Sequence, residues 1–226
     1  MKDILEKALK SISFQTIFNP NLEYPIRLYF ASHFTRLVSL AIKKGVHDNI
    51  LKVANNNAAE MIGRPCKHIP PEDKAFLSVI ANSEVAKEAF NKNGYDITKA
   101  VGFENKTFYA YLPLKIHGVT VLGGAILLNS VTELKSPFYE CLKIITYLHE
   151  LAHALRKCKS GLYDLENCTP ENEYDDVYEG YPMTKRCDDA LKLNSKTEGG
   201  IKIEAIIFGK FENNVNNKQI DFIANW

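Results

Sequence analysis

Residues 137–157 read PFYECLKIITYLHELAHALRK, and the fold is organised around them. Cys141, Ile144, Leu148 and Leu155 recur at helical spacing and share one apolar sector, with Glu140, Lys143, Glu150 and Lys157 on the other side. The spacing predicts an amphipathic helix. His149 and His153 stand at the edge of its apolar sector, four residues apart and one turn above the other. Glu150 follows the first of them, so His149-Glu150-Leu151-Ala152-His153 is an HExxH motif.

The spacing has a chemical reason. Two imidazoles at i and i+4 converge on one tetrahedral metal from a single rigid helix, and zinc is the ion that suits them. The carboxylate beside the first histidine points towards the place of a zinc-bound water. It is suited to take that water's proton and later deliver it to a leaving amine. His149 and His153 are therefore the expected metal ligands, and Glu150 the general base and acid.

Upstream, Thr107 to Ile116 (TFYAYLPLKI) and Val119 to Leu128 (VTVLGGAILL) are β-rich runs on either side of His117-Gly118. They predict an antiparallel hairpin beside the helix, with Pro113 confining part of the first strand to an edge or bulge. Residues 1–100 read as mainly helical. A short amphipathic helix is expected over 1–13, a buried helix over 26–44 and another over 48–61. A further helix is expected from Pro71, opened by Glu72 and Asp73, to Lys92. Cys66-Lys67-His68 has no second half at ligand spacing and reads as loop. His33 reads as an ordinary histidine of a helix.

Composition narrows the classes. The 226 residues are 46% apolar and 24% charged, and 28 Lys+Arg against 27 Asp+Glu leave a formal charge of +1. That suits one globular domain with its own core and argues against a strongly basic nucleic-acid binder and against disorder. No apolar run of signal-peptide kind is read in MKDILEKALKSISF, and Val119–Asn129 is too short to span a bilayer as a helix. Five unpatterned cysteines suggest a reduced compartment. The expected location is the cytoplasm or nucleus, with no membrane partner. No Walker loop, GxGxxG or GxSxG occurs.

HELAHALR at 149–156 resembles the active-site helix of zincin metallopeptidases, and EGGIKIEAIIFG at 198–209 resembles the second helix of the glutamate-zincin group. Taken with Thr169-Pro170 between them, the string is similar to a set of uncharacterised zincin-like proteins, mainly from fungi. The resemblance spans residues 145–210. It implies a third ligand from a glutamate followed by a small residue, which lets that segment approach the HExxH helix closely. Glu198, followed by Gly199, is favoured for this role. Glu204 lies deeper in an apolar stretch, where a carboxylate needs a partner. It is read as supporting a ligand, with the ligand role as its alternative.

From Ser160 to Thr184 there is no Lys or Arg, only acidic charges, and tyrosines stand at 163, 174, 178 and 181. Tyr178 and Tyr181 are candidates to reach an oxyanion, against the blander reading of an acidic surface loop. Arg156 shares a face with His149 and is a candidate anchor for Glu198 or Glu204, or else a solvated helix end. The expectation is a single α+β domain, zincin-like, with a helical part at 1–100 and the hairpin, HExxH helix and glutamate segment at 101–226. It would hold one catalytic Zn2+ and hydrolyse peptide bonds of a peptide or protein substrate. The alternative is an inactive zincin-like domain with a structural zinc, acting as a binding module. A metal-free helical interaction module is the third possibility; it needs His149 and His153 buried against side chains, and Nε2 atoms pointing apart would favour it.

Overall fold

The computed structural model describes residues 10, 16–32, 34, 61, 63–112, 116–160 and 199–208, the side chains of 122 and 157–160 excepted. In chain order these form β1 (Cys66–His68), α1 (Pro71–Ala81), α2 (Glu84–Lys92), β2 (Thr107–Ala110), β3 (Gly118–Thr120), β4 (Ile126–Asn129), α3 (Pro137–Ser160) and α4 (Gly199–Phe208). Residues 24–32 are helical as well. The architecture is α+β, with helices on both sides of a small four-stranded mixed sheet of order β1-β2-β4-β3.

The strand pairing corrects the expected hairpin. β3 does pair antiparallel with β4, but the two strands are the two ends of the second β-rich run, each reaching one residue beyond it. The chain reverses at Gly123 and Gly124, whose φ angles of 82° and 77° lie in the left-handed region that glycine adopts without a Cβ clash. Val121 N–H closes the turn on the Ala125 carbonyl at 2.9 Å. The His117-Gly118 pair is not the reversal, because Gly118 is a strand residue. β2 joins β4 from the other side in parallel register, Thr107 opposite Ile126 through Ala110 opposite Asn129. The Asn129 side-chain amide donates to the Leu112 and Ile116 carbonyls at 3.2 and 2.8 Å, tying the ends of the connection. Pro113 lies outside the described residues.

Both faces of the sheet are covered, which is why its central strand reads as an unbroken apolar run. Ile126, Leu127 and Leu128 are each 0% exposed. Tyr109, Ile126 and Leu128 face Ile144, Tyr147, Leu148 and Leu151 of α3. Ala110 and Leu127 face the other way, onto Ile26, Tyr29, Phe30 and Met61. Each such buried aliphatic side chain contributes about 1.5–3 kcal/mol relative to exposure.

Two further expectations change. The helix expected from Pro71 to Lys92 is two helices. Ser83 interrupts it by accepting from Ala86 N–H at 3.2 Å while donating to the Ile80 carbonyl at 2.7 Å. A serine that caps a new helix and ends the old one is a stronger local signal than the apolar periodicity running through it. Cys66-Lys67-His68 is not loop but strand β1, antiparallel to β2 with Cys66 opposite Ala110. The stretches 1–9 and 35–60, His33 and residues 161–198 lie outside the described residues.

Cys66 and Cys141 are buried thiols. Burial pushes Cys66 up to about 12, helped by the Glu23 carboxylate, and burial alone pushes Cys141 up to about 11. Since the thiolate is the reactive form, both are expected to resist alkylation of the native protein at pH 8 and to react on unfolding. Peptide mapping after iodoacetamide labelling checks this; rapid native labelling of either would contradict the packing. Among the described residues no helix is long and apolar enough to cross a membrane.

Candidate metal centre

α3 is the middle of the described structure rather than a surface helix. The sheet packs on one side of it and α4 on another, with α1 beside its first turns. The expected polar side is consequently buried: Lys143 is 1% and Glu150 6% exposed. Each charge is tolerated because it is paired, Lys143 with Asp73 at 3.1 Å and Glu150 with Thr120.

The HExxH turn is approached from both sides by chain that lacks a Cβ. On the sheet side, a methyl at Gly118 would stand 2.5 Å from Thr146 Cγ2 and 2.9 Å from Glu150 Cγ. On the α4 side, a methyl at Gly200 would stand 2.5 Å from Cγ and Cδ2 of the His149 ring. Both distances are below what packed carbon atoms allow, so only glycine admits β3 and α4 this near to α3. Gly199 and Gly200 cost helix propensity, yet α4 starts at Gly199 because tertiary packing on α3 outweighs that loss.

His149 is held through its ring. Its Nδ1 lies 2.5 Å from Glu204 Oε1, and the Glu204 side chain is 11% exposed. A carboxylate can only accept, so the pair places an imidazole proton on Nδ1 and leaves Nε2 as the ring nitrogen turned towards His153. His153 Nε2 stands 3.2 Å from His149 Nε2. Two nitrogens on one tetrahedral zinc at about 2.0–2.1 Å would be about 3.3–3.4 Å apart. The two ring nitrogens thus face one another at a separation close to that value, rather than pointing apart.

Glu150 lies between these histidines and the sheet. Thr120 Oγ1 sits 2.8 Å from Glu150 Oε2 and also 2.8 Å from the Glu150 carbonyl oxygen, so one hydroxyl orients the side chain against its own helix. Thr120→Val keeps the shape and removes that donor. It is expected to destabilise the fold by about 1–3 kcal/mol, the cost of a buried acceptor deprived of its partner. Urea unfolding at pH 7 measures this, and an unchanged midpoint would show that Thr120 does not hold Glu150.

Of the residues singled out in the sequence, the structure brings together His149, Glu150, His153 and Glu204. Glu198, Tyr178 and Tyr181 lie outside the described residues. Among the described residues no three His, Cys, Asp or Glu side chains form a group able to hold a metal, since Glu204 meets His149 at Nδ1. Arg156 is half-buried and stands near Lys202 of α4, whose ammonium is lowered first by burial and then by the Arg156 charge. His117 also borders the site. Its imidazole is lowered by burial while the Glu204 carboxylate pulls it up.

The sequence reading does not include Thr120 or Tyr95, which touches Gly199, and gives Gly118 a different role. A lone polar residue inside VTVLGG was the available signal for Thr120. Gly118 was read as a turn, and no sequence pattern ties Tyr95 to a segment a hundred residues away. No protein-family model, curated protein or solved structure matches this chain.

Proposed function

We propose that this protein is a zinc-dependent metallopeptidase of zincin type. The observation that supports the reading is the convergence of His149 and His153 Nε2 at 3.2 Å on the turn that carries Glu150. His149 and His153 would hold the ion. Glu198 is proposed as the third ligand on the resemblance alone, and Glu204 as the carboxylate that orients His149. Zinc bound there would lower the pKa of water and polarise the scissile carbonyl.

The chain's own residues account for the rest. Glu150 accepts a proton from the attacking water as oxygen adds to the carbonyl carbon, then passes it to the amide nitrogen as the C–N bond breaks. Thr120 engages Oε2, so the transfer falls to Oε1. Glu204 keeps the His149 proton on Nδ1 throughout. β3 ends the described sheet order beside Glu150, and its outer edge suits an extended peptide paired strand to strand.

Zinc analysis of the purified protein tests the reading. About one zinc per chain is expected, lost in His153→Ala and in Glu198→Ala, and retained with weaker affinity in Glu204→Ala. Wild-type protein that takes up no zinc on incubation with the metal would refute it. A zinc whose removal unfolds the chain, with no hydrolysis of any peptide library, would favour the structural-zinc alternative.

A further inference from the structure

The end of α2 is built in a way that reaches the candidate metal centre. Gly94 has a φ of 72°. Around it, Gly94 N–H bonds to the Asn91 carbonyl at 2.9 Å and Tyr95 N–H to the Phe90 carbonyl at 3.0 Å. This is the Schellman pattern of a helix ending on a left-handed glycine. The apolar contact that accompanies it is present, since the rings of Tyr95 and Phe90 lie edge to face with centroids 6.3 Å apart. The cap therefore fixes where the Tyr95 side chain goes. It goes to α4: a methyl on Gly199 would run into the Tyr95 hydroxyl oxygen, with ring Cζ behind it at 3.3 Å.

One residue further on, α4 lies against the His149 ring at Gly200, and one turn beyond that Glu204 bonds His149 Nδ1. The first turn of α4 is thus clamped between two aromatic side chains, Tyr95 on Gly199 and His149 on Gly200. We infer that Tyr95 is a positioning residue for the metal centre. It acts through α4: it sets the placement of α4, and α4 sets the orientation of His149. The inference rests on the zinc reading for its importance to function, but the mechanical link does not require a metal.

Imidazole NMR of the metal-free protein followed by zinc titration tests both parts. In the wild type, the His149 Nδ1 proton bonded to Glu204 is expected far downfield and sharp. Gly199→Ala is expected to shift or broaden it and to raise the zinc Kd by about 10–100-fold, the usual effect of disturbing a ligand's support. Adding Tyr95→Phe removes the oxygen that the new methyl meets. The double variant is expected to return the resonance and the Kd to those of Tyr95→Phe alone. A Gly199→Ala protein that matches wild type, or a loss that Tyr95→Phe does not relieve, overturns the proposal. Should Gly199→Ala fail to fold, Tyr95→Ala decides, since it frees space without adding atoms; wild-type resonance and Kd in that variant also overturn it. A wild type with the ordered His149 signal but no zinc binding refutes the metallopeptidase reading, and the NMR arm still decides the role of Tyr95.

Discussion

Glu150→Gln is expected to lower peptide hydrolysis by about 10²–10⁴-fold, the range general acid–base groups contribute, while zinc content stays at the wild-type level. The substitution is close to isosteric at a side chain 6% exposed, so packing under β3 is preserved. The amide oxygen of Gln still accepts the Thr120 hydrogen bond that the carboxylate accepts at 2.8 Å. What is lost is the capacity to take a proton. Fold, metal and geometry therefore remain as internal controls, and a fall in turnover reads on proton transfer alone. Single-turnover assays beside zinc analysis separate the outcomes. Retained hydrolysis would remove Glu150 from the mechanism, whereas loss of zinc would make Glu150 a ligand and reverse the assignment of roles.

The pairing of the two histidines on α3 was legible because i, i+4 geometry is local. One turn of helix brings His149 and His153 together whatever surrounds them, and the 3.2 Å separation follows from their spacing once the rotamers agree. The environment of that helix was not legible in the same way. Lys143 and Glu150 share a face seven residues apart, and a helical wheel counts that face as solvent. Only the sheet packed on it shows that it is interior. The compensating partners, Asp73 and Thr120, lie 70 and 30 residues away in sequence, beyond any local pattern.

The sheet shows the same division. β-rich composition marked the chain that forms β2, β3 and β4 but not β1, and it placed the turn at His117-Gly118, whereas the chain reverses at Gly123-Gly124. Two consecutive glycines, both with positive φ in the structure, permit a reversal that a histidine would strain. Gly118 has another use, the close approach of β3 to Thr146 and Glu150. A glycine required for approach and one required for a turn look alike until a neighbouring element is placed. Glu204 was recognisable as a carboxylate in need of a partner because its apolar surroundings on α4 are local; which atom it would meet was not.

Lys143→Met is expected to destabilise the fold by about 3 kcal/mol, at the low end for a broken buried pair because Asp73 keeps some contact with water. The ammonium is 2% exposed at its side chain and bonds Asp73 Oδ1 at 3.1 Å and Glu140 Oε2 at 3.3 Å. Asp73 also accepts from the Tyr109 hydroxyl, whose pKa is raised first by burial and then by that bond. Lys143 thus joins α1 and β2 to α3 two turns ahead of Glu150. Methionine fills the volume of the stem but leaves a carboxylate facing apolar chain. Removing the stranded acid as well, in Lys143→Met/Asp73→Ala, is expected to recover part of the loss, because the penalty lies in the unpaired charge rather than in the missing attraction. Urea midpoints of the two single variants and the double variant complete the cycle. If the two losses simply add, the pair is not coupled and α3 is anchored by apolar packing alone. If they do not, a charge buried by the same sheet that covers Glu150 is one of the constraints that keep the HExxH turn in register with β3.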